Sequence, residues 1–133
     1  MEKLKTDVVD LVFSICDLDV NPNCLWDFEG RFIYCNKLFA DLLGYRRREI
    51  IGTEFVKLMH PGDVKRSIDV YDSNTESGVN LVHNFYNRYY RKDGTVIFMC
   101  WLKGWNNSKF KIGGGQAKEV TESEYKKQGL NID

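Results

Sequence analysis

The chain has no net charge, no apolar run long enough to cross a bilayer, two histidines, and no closely spaced pair of cysteines among its 133 residues. With 19 basic and 19 acidic side chains it sets up no long-range field to draw in nucleic acid or an anionic membrane, so neither is expected as a direct partner. The N-terminus carries acidic residues every few positions and lacks a signal peptide's charge and cleavage pattern, which points to a cytoplasmic location with reduced thiols. Cys16, Cys24, Cys35 and Cys100 stand far apart among apolar neighbours, without the close pairing that zinc and iron–sulfur sites favour. They read as small buried hydrophobes, with thiol redox sensing as the alternative. His60 and His83 have no neighbouring serine or cysteine in a nucleophile setting, no phosphate loop is present, and the acidic residues spread over polar faces. No enzymatic activity is expected. Gly113, Gly114 and Gly115 sit in a strand with no helix after it, where close approach of another backbone explains them better than a phosphate cradle.

What is present suits one domain: enough length for a real core, too little for a sensor plus a catalytic effector. Residues 2–16 read as a helix. Leu4, Val8, Leu11, Val12 and Ile15 make one apolar stripe, and Val9, Phe13 and Cys16 make a second beside it, leaving a narrow polar edge of Asp7, Asp10, Ser14 and Asp17. A stripe so wide needs two covering surfaces, its own sheet and a second chain, so Leu4, Val8, Leu11, Val12 and Ile15 are the expected homodimer interface. Burial within one monomer is the alternative, and the β-branched content also allows a strand.

After the break at Asn21-Pro22-Asn23, residues 25–28 and 32–35 form an expected hairpin across Glu29-Gly30. Asn36 caps a helix running through Leu43, with Leu38, Phe39, Leu42 and Leu43 toward the core, and Gly44 supplies its left-handed stop. Residues 46–51 suit one more helical turn. His60-Pro61-Gly62-Asp63 opens the next helix, which carries Val64, Ile68 and Tyr71 on one side and fades over 73–78. The second half is sheet. Residues 81–90 alternate, with Phe85, Asn87 and Tyr89 on one face and Tyr86, Arg88 and Tyr90 on the other. Lys92-Asp93-Gly94 is a hairpin turn, and the strand 96–102 is apolar on both faces, so the N-terminal helix is expected to cover its outer side. A last strand runs from Phe110 to the segment Glu119-Val120-Thr121-Glu122. This order predicts an α+β fold, a five-stranded antiparallel sheet with short helices packed on one face and an N-terminal amphipathic helix.

Three blocks carry a resemblance to a known family: Asp27 to Tyr45 with Glu49-Ile50-Ile51-Gly52; Met59-His60-Pro61-Gly62-Asp63; and Asn87 to Gly94 with Glu119-Val120-Thr121-Glu122. In this order and spacing they resemble the PAS fold, especially the bacterial sensory type. The resemblance implies a PAS domain over 18–122, a capping or dimerisation helix over 1–17 and a polar tail over 123–133. Two departures stand out. Arg46, Arg47 and Arg48 replace the family's usual serine or threonine cap after the Gly-Tyr pair, and Glu119 stands where the closing motif usually has aspartate. In relatives that carboxylate links the sheet to the next segment of chain, so Glu119 and Thr121 are the candidates for signal output.

The family's cavity is the expected site, with Tyr34, Phe39, Leu43, Phe55, Met59, Ile68, Tyr71, Phe85, Asn87, Tyr89, Phe98 and Cys100 as candidate walls. Asn87 and the tyrosines would supply its polar anchors. Tight packing of the same side chains, leaving no void, is the alternative. Haem is not favoured, because the family's axial histidine lies on the helix after Pro61, which has none here. Flavin photochemistry is not favoured either, because Asn23-Cys24-Leu25 opens a strand and lacks the arginine and glutamines that hold the ring in light sensors of this superfamily. Trp26, Trp101 or Trp105 could line a redox flavin site. A small organic ligand remains, in a dimeric sensor that signals to an effector such as a histidine kinase or a DNA-binding transcriptional regulator. A ligand-free interaction domain is the competing function.

Overall fold

The computed structural model describes residues 20–72 and 78–130. Its strands are β1 (Asn23–Asp27), β2 (Phe32–Cys35), β3 (Val79–Tyr90), β4 (Val96–Asn107) and β5 (Ile112–Val120). They form one five-stranded antiparallel sheet in the order β2-β1-β5-β4-β3, so the first and last strands pair in its middle. Between β2 and β3 come α1 (Lys37–Leu43), α2 (Arg47–Ile50), α3 (Phe55–Leu58) and α4 (Pro61–Tyr71); α5 (Glu122–Lys126) succeeds β5. This is the α+β architecture the sequence predicts. The expected helix over 2–16, with Leu4, Val8, Leu11, Val12 and Ile15, lies outside the described residues.

Local chemistry sets the helix ends. The Asn36 Oδ1 accepts from the N–H of Phe39 at 3.0 Å and from the N–H of Asn23 at 2.9 Å, so one side chain starts α1 and ties it to β1. Gly44, at φ +79°, ends α1 in the left-handed conformation that costs other residues more. The absent cap of α2 is replaced from within the helix: the Arg46 N–H donates to Glu49 at 2.8 Å, and Lys92 donates to the same carboxylate at 2.7 Å. Those contacts, the backbone hydrogen bond foremost, hold the Glu49 carboxyl below its usual range. Before α4, the His60 Nδ1 accepts from the Gly62 N–H at 3.0 Å while its ring stacks on Tyr90, so His60 caps a helix.

Among the differences from expectation, three stand out. β1 stops at Asp27, which leaves Phe28 in the turn and 48% exposed. β4 continues through Trp105 to Asn107, because an irregularity between Trp101 and Lys103 bends the strand without ending its pairing. The tail is not wholly polar, since α5 buries Tyr125 completely.

One sheet face carries α1 to α4 and the main core, including Cys24, Phe32, Met99, Trp101 and Ala117 with Phe39, Leu43 and Ile50 from α1 and α2, while Tyr125 of α5 packs on Phe98 of the other face. Gly113 and Gly115 on β5 clear space on that face for the indoles of Trp26 and Trp101. A Cβ at Gly115 would stand 2.7 Å from the Trp101 ring and 3.1 Å from the Lys103 carbonyl oxygen. The close approach read from the three glycines is thus made by side chains as much as by backbone.

β3 is an edge strand, and such edges need cover. Residues 59–63 supply it: Met59 bridges to Tyr89, the His60 N–H donates to the Arg88 carbonyl at 2.9 Å, and the Arg88 N–H donates to the Asp63 carboxylate at 2.7 Å. The Arg88 guanidinium closes two further bonds to Asp63 at 3.0 Å each, and the Tyr125 hydroxyl donates to it at 2.8 Å. Asp63 and Arg88 are 2% and 3% exposed. Burial opposes ionisation of Asp63, but the bonds from Arg88 and Tyr125 and the guanidinium charge outweigh it and hold the carboxyl below its ordinary range.

Removing one partner of such a buried pair strands the other, so Asp63→Asn is expected to cost about 3–5 kcal/mol in urea unfolding, and Tyr125→Phe about 1.5–3 kcal/mol. Because the folded-state pKa lies below the unfolded one, Asp63 stabilises the fold fully above the ordinary carboxylate range. That contribution drains away as pH falls below about 4. The stability gap between the unmutated chain and Asp63→Asn should therefore shrink in acid; a gap independent of pH would contradict the assignment.

Candidate functional site

A half-open cleft of about 240 Å³ lies between α4 and the helix-bearing face of the sheet. By scaling from the ~150 Å³ cavity that takes benzene, it suits a ligand of roughly ten non-hydrogen atoms. Trp26, Asp27, Phe28 and Gly30 come from the end of β1 and its turn, Phe55 and Met59 from α3 and the residue after it, and Ser67, Ile68, Tyr71 and Asp72 from α4 and its C-cap. Asn87 and Tyr89 of β3, Trp101 and Asn106 of β4, and Ser108 complete it.

Rings dominate the wall. Trp26 meets Tyr71 edge to face at 5.1 Å, and Trp101 and Phe55 each at 6.3 Å. Two polar side chains are tied to their surroundings: the Asn87 Nδ2 donates to the Ser67 Oγ at 3.1 Å, and the Trp101 Nε1 donates to the Asn87 Oδ1 at 2.7 Å. Asn106 is likewise held, donating through Nδ2 to the carbonyl oxygen of Tyr71. The Tyr71 hydroxyl differs, being buried with no hydrogen-bond partner among the described residues. It lies against Gly104, where any Cβ would collide with it. Burial pushes the Tyr71 and Tyr89 phenols far above their ordinary values, so both stay neutral.

Of the residues expected to form the walls, Phe55, Met59, Ile68, Tyr71, Asn87 and Tyr89 meet at this cleft. Ile68 stands at its mouth, 44% exposed. The others do not reach it. Phe39 and Leu43 pack into the core beneath α1, and Phe85 is covered by the Arg66 guanidinium 4.8 Å above its ring. Tyr34 joins Leu25 and Trp105 in a separate cluster. Phe98 and Cys100 pair with Arg88 and Tyr86, placing them on the face opposite Met99 and Trp101, and Phe98 packs on Tyr125 at 5.1 Å. Trp26 was legible from its place two residues after Cys24 on one strand face; Asp72, Asn106 and Ser108 lie at element ends where no periodicity points to them.

The output candidates lie at the end of the sheet. Glu119 takes a 2.7 Å ion pair from Arg91 beside the β3–β4 turn, and the Thr121 Oγ1 accepts from the Glu124 N–H at 3.1 Å, capping α5. The cleft does not fit the cofactors of the superfamily. Among the described residues no cysteine or histidine lines it, so neither a flavin–thiol adduct nor an axial haem ligand has a donor there. Cys24 and Cys35 belong to the core, where burial pushes the Cys35 thiol up to about 11 despite the Arg47 charge nearby. Among the described residues no helix is long and apolar enough to cross a membrane.

Comparison with known proteins agrees with the geometry. A Rhodobacter sphaeroides LOV protein superposes with a TM-score of 0.70 at 14% identity, covering 92% of this chain and 73% of that one. The PAS domain of a Colwellia psychrerythraea protein gives 0.64 at 20% identity, covering 87% and 99%. The PAS domain of a LuxR-family transcriptional regulator from Burkholderia thailandensis, in complex with ethanol, gives 0.63 at 14% identity, covering 80% and 95%. At such identities these likenesses show the fold alone. In sequence, the probable diguanylate cyclase DgcE of Escherichia coli K12 is 27% identical over 70 residues, which is 53% of this chain and 6% of that protein. Residues 32–101 match the family model described as PAS fold. The chain belongs to the PAS fold family.

Proposed function

We propose that this PAS domain senses a small organic molecule held between α4 and the sheet, and that occupancy is passed through a homodimer to an effector. The carrying observation is an aromatic cleft walled in part by Tyr71, whose buried hydroxyl, packed against Gly104, has no hydrogen-bond partner among the described residues. A buried hydroxyl without a partner costs about 1–3 kcal/mol, which a ligand that moves the Tyr71 ring off Gly104 and supplies that bond would recover. Ethanol in the Burkholderia thailandensis PAS domain is an example of a small hydroxylic molecule in this fold.

The route outward runs along α4. The helix presents Ser67, Ile68 and Tyr71 to the cleft and, one turn or more earlier, holds α5 through Asp63 and Tyr125. A ligand that favours one position of α4 would bias α5 with it, and only such a differential preference can transmit a signal. Glu119 and Thr121 stand where the sheet hands over to α5, which suits them to relay that bias. Effectors consistent with the family are a histidine kinase, a DNA-binding transcriptional regulator and, from the match to DgcE, a diguanylate cyclase. A cytoplasmic location fits the reduced, buried cysteines.

Native mass spectrometry of the purified protein tests the ligand. The expected result is a small-molecule increment above the 15.5 kDa chain that falls in Tyr71→Phe. The same substitution should stabilise the empty protein by about 1 kcal/mol, because it removes an orphaned polar atom. No increment, with a melting temperature unmoved by a metabolite panel, would leave the ligand-free interaction domain in its place. For the dimer, Val12→Asp is expected to weaken self-association in sedimentation; an unmutated chain that stays monomeric at high concentration would reject that interface.

A further inference from the structure

The cleft has an unbalanced charge. Among the described residues that line it are two carboxylates, Asp27 and Asp72, and no lysine, arginine or histidine. Asp27 accepts from the N–H groups of Glu29 and Arg31 at 3.0 and 3.1 Å, and among the described residues no cation pairs with it. Arg31, whose backbone N–H bonds to Asp27, turns its guanidinium elsewhere, donating to the Gly52 carbonyl at 2.9 Å and pairing with Glu54 at 3.6 Å. Asp72 is exposed at the C-cap of the 11-residue α4, whose dipole adds negative potential at that end. No described cation pairs with Asp72 either.

The uncharged part of the wall favours the same sign. Trp26, Phe55, Tyr71 and Trp101 surround the space, and aromatic faces attract a cation through their quadrupole while accepting an apolar body. An anionic ligand would meet two carboxylates, a helix C-terminus and electron-rich rings, with no counter-charge in the lining. A neutral ligand would leave the charge of both carboxylates without a described counter-charge.

Resting on the sensor reading, we infer that the ligand is a small organic cation, an alkylammonium or quaternary ammonium compound of about ten non-hydrogen atoms. Its apolar groups lie among the rings and its charge faces Asp27 and Asp72 at the mouth.

Calorimetric titration with choline and with its neutral carbon isostere, 3,3-dimethylbutan-1-ol, isolates the charge, because the two share shape and hydroxyl. Choline is expected to bind at least tenfold more tightly, equivalent to about 1.4 kcal/mol. The double substitution Asp27→Asn with Asp72→Asn is expected to abolish that preference while leaving the melting temperature of the empty protein within a few degrees. Equal binding of the isostere, or a preference that survives the double substitution, overturns the cation assignment and leaves the sensor reading standing. Binding of neither compound also overturns the cation assignment. The sensor reading is judged separately by the native mass spectrum.

Discussion

The docking of Asp63 onto the β3 edge is the interaction on which the site depends. One carboxylate takes the Arg88 N–H, the Nε and Nη2 of its guanidinium and the Tyr125 hydroxyl, at 2.7 to 3.0 Å. It thereby closes an open sheet edge, fixes the start of α4 and anchors α5. Because α4 is pinned at its N-terminal end, its later turns stand over the sheet as the outer wall of the cleft. A hydrophobic contact could hold a helix there, but it would not set the helix's rotation. A bidentate guanidinium does, because its geometry is directional.

The second constraint is the glycine run of β5. Ordinary side chains at Gly113 and Gly115 would lift Trp26 and Trp101 off the sheet and into the space beneath α4. With glycine there, the indoles lie close to the strand and become the floor of a cavity instead of its filling. Packing that leaves room is unusual in a protein interior, which is normally close to crystalline density. Here the room coincides with a buried hydroxyl that no described residue satisfies.

Much of this was legible in the sequence where the signal is local. Asn36, Gly44 and the His-Pro turn mark helix ends through their own backbone chemistry, and Phe85, Asn87 and Tyr89 share one face as their alternation predicts. Periodicity did not say how far each of those side chains reaches: Arg66 covers Phe85, while Asn87 and Tyr89 arrive at the cleft. The strand around Met99 is apolar on both faces, so nothing in it distinguished Trp101, which lines the cleft, from Phe98 and Cys100, which do not. Tyr125 looked like part of a polar tail because its partner Asp63 lies 62 positions away. Contacts of that range have no signature in one sequence.

A directional clamp, a floor made by glycines and a negatively biased mouth are the parts of the ligand-responsive unit we propose. Central to it is that the space between α4 and the sheet is a real cavity. The most direct measurement is a crystal structure of the protein pressurised with xenon, which occupies apolar cavities. Xenon density is predicted between Trp26, Tyr71 and Trp101. The same rings closed on one another, with no xenon among them, would contradict it.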